Sequence, residues 1–119
     1  MKISIDLDDT LLKYPDMFIL FARTMQECGH TVGLLTGRAT WDIKDNIIPL
    51  LRSRSFNPDF YFGHDGMSDK IMPRDFESER EKAREWKALM IKENDIDIHF
   101  DNHQEYIIEG DTGSGVVIK

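Results

Sequence analysis

The spacing of apolar and polar residues along the chain is strand-like in some segments and helix-like in others. This pattern predicts strands that alternate with helices. Short apolar runs predict five strands, at 2–6, 31–35, 59–63, 96–100 and 116–118. Apolar residues at helical spacing predict helices from Pro15 to just before Gly29, from about Thr40 to Leu51, over 77–92 and over 104–109. The pattern therefore predicts an α/β chain.

Three residues mark the ends or interruptions of these helices. Pro15 suits the first turn of the first helix, because the N–H that proline lacks has no partner there. Gly29 is placed to end the same helix. Pro49 lies inside the second helical pattern, where we expect it to kink or split the helix.

Strands that alternate with helices favour a parallel sheet with right-handed crossovers and helices on both faces. The 119 residues suffice for one domain, and no repeat or linker divides them. We therefore predict a single three-layer Rossmann-like domain over 1–119, with a central parallel sheet of five strands.

The composition narrows the class of protein. With 40% hydrophobic and 31% charged residues the chain is typical of globular proteins. The net charge of -7 argues against general affinity for nucleic acid or anionic membranes. Cys28 is the only cysteine, so no internal disulfide can form, and the first apolar run is too short for a signal peptide or a membrane span. We expect a soluble cytoplasmic protein.

Polar residues follow three of the predicted strands. Asp6 ends the first strand and Asp8 comes just after it, Thr36 follows the second, and Asp101 with Asn102 follows the fourth. Ligands of parallel α/β sheets bind beyond the carboxyl ends of the strands, so these side chains should meet at one edge. Two carboxylates 4 Å apart repel by ~4 kcal/mol near a protein surface. We therefore expect a cation at this edge.

The same residues resemble the motifs of the haloacid dehalogenase-like (HAD) superfamily. Asp6-Leu7-Asp8-Asp9-Thr10 after an apolar strand looks like the first motif, and "VGLLTGR", which contains Thr36, resembles the second. "WKALMIKENDIDIHFDN" resembles the third and fourth, with a lysine on a helix and a strand that ends in Asp101. The four motifs occur in order and cover nearly the whole chain.

The resemblance implies a phosphatase that forms an aspartyl-phosphate. Asp6 would be the nucleophile, and Asp8 would act as general acid and then as general base. Thr36 would hydrogen-bond a phosphoryl oxygen, and Lys87 would neutralise charge on the nucleophile and the phosphate. Gly37 and Arg38 belong to the same implied substrate-binding set as Thr36 and Lys87.

The resemblance also implies a Mg²⁺ ion. Its protein ligands would be the carboxylates of Asp6 and Asp101 and the backbone carbonyl of Asp8. Without the metal, the three acidic side chains should repel one another, and at least one of their pKa values should rise.

HAD enzymes often carry a cap domain after the first motif or after the third strand. Here residues 11–14 alone separate the motif from the first helix, and the later insertion is only about a dozen residues long, too short for its own core. The chain therefore resembles a capless member. Without a cap, loops, an oligomeric neighbour or the substrate itself must exclude water from the site. The substrate could be a small molecule or a macromolecule.

Other interpretations of the motif residues stay open. The two aspartates of the first motif could cap a helix or fill a turn, and 36–38 could be a simple turn. Lys82 competes with Lys87 for the site. Asn102 departs from the family, many members of which carry a second aspartate there. His99 and His103 flank Asp101 and could suggest zinc, but further ligands at suitable spacing are missing, which favours a supporting or surface position.

The loops contain further polar candidates. After the third strand, four side chains could contact substrate or be ordinary loop polarity: His64, Asp65, Lys70 and Arg74. The glycine-rich stretch 111–115 lacks the lysine and helix of a phosphate loop, so we interpret it as a turn.

Two other functions are compatible with the sequence. A signalling receiver domain has a similar length and fold and would use Asp65 as its phosphoacceptor, but it does not need the Asp6-x-Asp8 pair and expects its threonine after the fourth strand. A HAD-fold regulator would bind phosphate or metal without turnover, and Asn102 keeps that alternative open.

Overall fold

The computed structural model describes residues 1–65, 79–101 and 114–117. In this part of the chain strands and helices alternate, as predicted. We name them β1 (Lys2–Ile5), α1 (Pro15–Glu27), β2 (Thr31–Leu35), α2 (Thr40–Asp42, Ile43–Ile47 and Ile48–Ser53 in succession), β3 (Tyr61–Phe62), α3 (Glu79–Glu93), β4 (Ile98–Asp101) and β5 (Ser114–Val117). The helix predicted over 104–109 lies outside the described residues.

The strands form a parallel sheet with β1 at its centre. β1 pairs with β2 on one side and with β4 on the other, and β3 pairs with the outer edge of β2. These four strands carry the candidate site, and β5 lies along the outer edge of β4. The predicted α/β class with a parallel sheet is confirmed.

Apolar side chains form one cluster on each face of the sheet. The first cluster joins β1 and β2 to α1 and α2, and its members include Ile3, Ile5, Val32, Leu34, Phe18, Ala22, Ile43 and Leu51. The second joins Leu35 to α3 through Trp86 and Met90. Val32 and Leu34 contribute to the first cluster and Leu35 to the second, as the alternation of side chains along a strand requires. Helix α3 therefore covers the face opposite α1 and α2.

Both predicted ends of α1 are confirmed. Pro15 occupies its first turn. Gly29 follows the helix at a φ of 89°, a left-handed conformation that costs glycine little because it has no Cβ. The chain then returns directly into β2.

The predicted interruption of the second helix is also present. Residues Ile43–Ile47 form a wide turn in which the N–H of Ile48 donates to the carbonyl of Ile43, and Pro49 lies in the first turn of the segment Ile48–Ser53 that follows. Since Pro49 has no N–H, the regular hydrogen-bond ladder cannot run through this position.

Two predicted strands have different bounds in the structure. β3 is Tyr61–Phe62 rather than 59–63, and it starts later than predicted because the carboxylate of Asp59 accepts the N–H of Val32 at 2.8 Å, a bond that a strand would make through its backbone. β4 starts later than 96 because the N–H of Ile96 still bonds Ile91 at the end of α3, at 3.0 Å. At its other end β4 extends one residue further than predicted, because Asp101 still pairs with Val117 of β5.

Gly63 is expected to tolerate no side chain. A Cβ there would lie 2.5 Å from the carbonyl oxygen of Arg38 and 2.6 Å from the backbone nitrogen of Thr40. We expect Gly63→Ala to destabilise the fold by about 1–3 kcal/mol, because the backbone must move to make room. Thermal unfolding beside Gly37→Ala, whose Cβ meets nothing within 4 Å, measures the difference. Equal melting temperatures for the two variants would contradict the close approach.

Candidate functional site

The chain turns sharply after β1 and separates its three aspartates. Asp6 is 5% exposed, and its N–H still continues the sheet by donating to Phe100 at 2.9 Å. The turn Leu7–Leu11 follows, with Asp9 at a left-handed φ of 60°. This geometry places Asp6 inside the protein and leaves Asp8 and Asp9 exposed.

Lys87 from α3 joins two carboxylates at the carboxyl edge of the sheet. Its Nζ lies 3.0 Å from Asp6 Oδ1 and 2.7 Å from Asp101 Oδ2. All three side chains are buried, Lys87 with only 3% of its surface exposed. Removing one partner of a buried ion pair typically costs about 3–5 kcal/mol. We therefore expect loss of Lys87 to be costly, because it would leave the buried carboxylates of Asp6 and Asp101 without this partner.

His99 and Ser4 extend this group away from the edge. His99 Nε2 lies 3.0 Å from Asp101 Oδ2, and its Nδ1 lies 2.7 Å from the hydroxyl of Ser4. Ser4 and His99 are direct partners in the register of β1 and β4. We call the five connected residues Ser4, Asp6, Lys87, His99 and Asp101 the buried polar cluster.

Burial and neighbouring charges shift the pKa values within the cluster. Burial raises the pKa of Asp6 to about 6, and Lys87 offsets this only in part. Burial alone would raise the pKa of Asp101 as well, but the His99 hydrogen bond and Lys87 lower it to about 2. Burial would lower the pKa of Lys87, yet the two carboxylates outweigh it and raise it. The sequence predicts that at least one of the acidic pKa values rises, and the pKa of Asp6 does so. Burial is the largest cause, and repulsion by Asp101 is a smaller one.

Arg38 forms a second charged group at the rim. Its Nε and Nη2 lie 3.0 and 2.7 Å from the two oxygens of Asp8, and its Nη1 lies 3.0 Å from Asp42. The hydrogen bond to Asp8 raises the pKa of Arg38 above its ordinary range. The side chain of Asp8 is 55% exposed, so this contact lies in water rather than in the buried polar cluster.

Hydrogen bonds of side chains and backbone groups connect the loops around Arg38. Thr36 is buried at the end of β2, and its hydroxyl oxygen accepts the N–H of Arg38 at 3.3 Å. Asp65 accepts both the N–H and the hydroxyl of Thr40, at 2.7 and 2.6 Å. The carbonyl of Arg38 accepts the N–H of His64 at 2.9 Å. The loop after β3 is thereby tied to the start of α2.

The structure brings some of the predicted residues together and separates others. Asp6, Lys87 and Asp101 are in direct contact, whereas Asp8 turns outward to Arg38. Several candidates lie outside the described residues: Lys70, Arg74, Asn102, His103, the side chain of Lys82 and most of the stretch 111–115. The contacts therefore favour Lys87 as a site residue. Lys82 cannot be compared with it, because the side chain of Lys82 lies outside the described residues.

Sequence reasoning missed two members of this region. Ser4 is the one buried polar residue within β1 and stands two positions before Asp6, so both share a face of the strand. Asp42 stands four residues after Arg38, the spacing at which helical side chains meet. Both signals are visible in the sequence, but neither belongs to a motif of the resemblance.

The residues at this edge can be compared with what a metal ion needs. Over 1–65 and 85–101, no three or more His, Cys, Asp or Glu side chains are grouped so that they could hold a metal. The donor set implied by the resemblance is smaller, with two carboxylates and one backbone carbonyl. Among the described contacts, Lys87 pairs with the buried carboxylates of Asp6 and Asp101, and Arg38 pairs with Asp8 and Asp42 at the rim. Carboxylate and carbonyl oxygens are the hard donors that Mg²⁺ takes, so the chemistry of the implied donor set fits this ion.

The raised pKa of Asp6 predicts a pH dependence of stability in metal-free buffer. Because the folded-state pKa of about 6 exceeds the ordinary 3.8, the native state binds the proton more tightly. The stabilisation is fully present below pH 3.8 and is lost as the pH rises through 6. We expect a loss on the order of 2–3 kcal/mol, from ~1.4 kcal/mol per pKa unit.

The variant Asp6→Asn provides the reference for this measurement. The free energy of unfolding of both proteins is determined by denaturant titration at several pH values with a chelator present. The wild type should lose stability relative to Asp6→Asn between pH 4 and 6. The opposite shift at Asp101 acts below this window, since its pKa is about 2. Parallel curves for the two proteins would contradict the prediction.

Comparison with known proteins gives no family for the chain. No family model, curated protein or solved structure matches it. Of the helices in the described part of the chain, none has both the length and the apolar character needed to cross a bilayer. A functional assignment therefore depends on the side chains and contacts described above.

Proposed function

We propose that the protein is a Mg²⁺-dependent HAD-type phosphatase that hydrolyses a phosphomonoester through an aspartyl-phosphate on Asp6. The observation that carries the proposal is the buried contact of Lys87 with Asp6 and Asp101 at the carboxyl edge of the sheet. The same proposal includes a three-layer Rossmann-like fold with a five-stranded sheet and no cap domain. It also includes a cytoplasmic location.

Asp6 would attack phosphorus. Its pKa of about 6 leaves the carboxylate largely ionised at neutral pH. A bond forms between a carboxylate oxygen and phosphorus while the ester P–O bond breaks, which gives an aspartyl-phosphate and an alkoxide. Lys87, 3.0 Å from Asp6 Oδ1, would offset the negative charge that gathers on the nucleophile and the phosphoryl group.

Asp8 would move the protons. It would first protonate the departing alkoxide and then accept a proton from the water that hydrolyses the intermediate, which releases phosphate and regenerates Asp6. In the structure Arg38 binds Asp8, so this pair must open first. The carboxylate of Asp8 is 55% exposed, so water can hydrate it when the pair opens.

The turn after β2 would bind the phosphoryl group. Thr36 already accepts the N–H of Arg38 through its hydroxyl oxygen, which leaves the hydroxyl proton to donate to a phosphoryl oxygen. Gly37 and the guanidinium of Arg38 would complete this side of the site. Once Arg38 releases Asp8, its planar N–H groups match the oxygens of a phosphate.

Asp6, Asp101 and the backbone carbonyl of Asp8 would hold the Mg²⁺ ion. When bound, the ion would supply positive charge that reduces the repulsion between the acidic site and an anionic phosphate, and it would orient the phosphate. The two buried carboxylates at this edge, Asp6 and Asp101, supply hard oxygen donors of the kind that Mg²⁺ takes.

The path of the chain supports a capless arrangement after the first motif. Only residues 12–14 lie between the turn Leu7–Leu11 and α1, too few for a domain. A loop, a second copy of the chain or a large phosphorylated substrate would then have to exclude water.

A receiver domain is the main alternative from another functional class. Its phosphoacceptor would be Asp65, but this carboxylate accepts two hydrogen bonds from Thr40 at the start of α2. The Thr40 hydrogen bonds also lower the pKa of Asp65. A capping position of this kind weighs against a phosphoacceptor.

Two phosphate donors separate the alternatives. The protein is incubated with p-nitrophenyl phosphate and, separately, with acetyl phosphate, each with Mg²⁺ and with a chelator. The proposal predicts Mg²⁺-dependent release of p-nitrophenol. Labelling of Asp65 by acetyl phosphate without p-nitrophenol release would indicate a receiver domain, and neither reaction would indicate a regulator that binds without turnover.

A further inference from the structure

Ser4 and His99 lie behind the carboxylate of Asp101 and are not explained by the proposed reaction. They are paired residues on the two central strands, and side chains two positions apart along a strand share a face. The polar side chains of β1 and β4 therefore form two rows that lead to the candidate site. His99 connects the rows, because its ring reaches Ser4 on one side and Asp101 on the other.

The hydrogen bonds determine which ring nitrogen of His99 carries the proton. An ionised Asp101 can only accept, so the N–H must be on Nε2, which lies 3.0 Å from Asp101 Oδ2. In the neutral ring with this N–H, the other nitrogen, Nδ1, carries a lone pair. Nδ1 must then accept, and the Ser4 hydroxyl donates to it over 2.7 Å.

Two donors consequently meet at one oxygen of Asp101. Lys87 Nζ lies 2.7 Å from Oδ2 and His99 Nε2 lies 3.0 Å from the same atom. Donors that approach one oxygen from two residues restrict rotation of the carboxylate about its Cβ–Cγ bond. The direction of the other oxygen, Oδ1, is thereby set as well.

We infer that His99, held in its Nε2–H form by Ser4, is a positioning residue that orients the carboxylate of Asp101 for a divalent cation. The inference rests on the proposed function. Partners that hydrogen-bond a metal ligand typically contribute 10–100-fold to metal affinity or activity. A purely structural pair would contribute to folding and leave the affinity for Mg²⁺ unchanged.

The proton on His99 can be observed directly. Side-chain ¹⁵N NMR of the histidines distinguishes a protonated Nε2 from a protonated Nδ1, and the spectrum of His99→Gln identifies which signals belong to His99. We expect a proton on Nε2, the nitrogen that faces Asp101. A proton on Nδ1 would overturn the inference, because His99 would then present a lone pair to Asp101.

Mg²⁺ binding tests the effect on the site. Calorimetric titration with MgCl₂ compares the wild type with His99→Gln, His99→Phe and Ser4→Ala. Glutamine places an amide N–H near the position of Nε2, so its affinity should stay within about threefold of the wild type. His99→Phe keeps a ring but has no donor, so its affinity should fall about 10–100-fold, with Ser4→Ala between the two.

The outcomes separate this inference from the proposed function. A wild type that does not bind Mg²⁺ would contradict the proposed function, and the inference with it. A wild type that binds, with His99→Phe and Ser4→Ala equal to it, would overturn the inference alone. Should His99→Phe fail to fold, Ser4→Ala and the ¹⁵N spectrum still decide. His30→Phe, a histidine that instead contacts the N-terminal amine of Met1, is the matched control and should bind Mg²⁺ as the wild type does.

Discussion

Replacing Asp6 by asparagine is expected to lower phosphatase turnover by about a thousandfold or more, the scale on which loss of a nucleophile acts. The change keeps the shape of the side chain and an oxygen that can accept from Lys87, which donates to Asp6 at 3.0 Å. It removes the negative charge and the attacking carboxylate, so the aspartyl-phosphate cannot form. The measurement is steady-state release of p-nitrophenol with saturating Mg²⁺.

Asp9→Asn is the matched control for this experiment. It makes the same chemical change three residues later, but Asp9 is exposed and has a left-handed φ of 60°, a conformation that asparagine tolerates well. Its turnover should stay within about twofold of the wild type, as surface changes usually have small effects. Turnover above a tenth of the wild-type value in Asp6→Asn would exclude Asp6 as nucleophile.

Replacing Asp8 by asparagine is expected to separate the two half-reactions. Its proposed contact with Mg²⁺ uses the backbone carbonyl, so metal binding should be nearly unchanged. A good leaving group needs little protonation, so Asp6 should still be phosphorylated by p-nitrophenyl phosphate. Hydrolysis of the intermediate should slow by about a hundredfold or more, the usual scale of general acid–base catalysis. Rapid-mixing kinetics should therefore show a burst of p-nitrophenol followed by slow turnover.

Replacing Asp8 also removes one of the two carboxylate partners of Arg38. A control must separate this effect from the loss of the proposed acid–base group. Asp42→Asn weakens the other partner of Arg38, 3.0 Å from its Nη1, and leaves Asp8 in place. We expect Asp42→Asn to show no burst and a turnover within a few-fold of the wild type. Should Asp8→Asn lose both Mg²⁺ binding and the burst, the Asp8 side chain would be a direct metal ligand and its proposed role would be wrong.

Much of the fold could be predicted because periodicity reports which faces of an element are buried. The alternation of strands and helices, the start of α1 at Pro15 and the interruption near Pro49 all follow from local rules. The strand bounds were less predictable. Asp59 substitutes its carboxylate for a backbone acceptor, and a contact of this kind between distant segments leaves no periodic signal.

The sequence could predict the positions of the site residues that the sheet holds. It could not predict the direction of a side chain that depends on a turn. Asp6 and Asp101 follow or end adjacent parallel strands, so their approach could be expected, and Lys87 reaches them from the covering helix. The outward direction of Asp8 depends on the dihedral angles of the turn that follows Asp6, which residue types do not determine. The pairing of Ser4 with His99 depends on the register between β1 and β4, which appears only once the sheet has formed.

The position of a covalent phosphoryl group is the measurement that tests the central claim most directly. The Asp8→Asn variant is mixed with p-nitrophenyl phosphate and Mg²⁺, quenched in acid during the burst, digested and analysed by tandem mass spectrometry. The proposed mechanism predicts one phosphoryl group on Asp6, which is absent when Asp6 is also replaced by asparagine. A phosphoryl group on Asp65, or an unmodified protein that still releases p-nitrophenol, would contradict it.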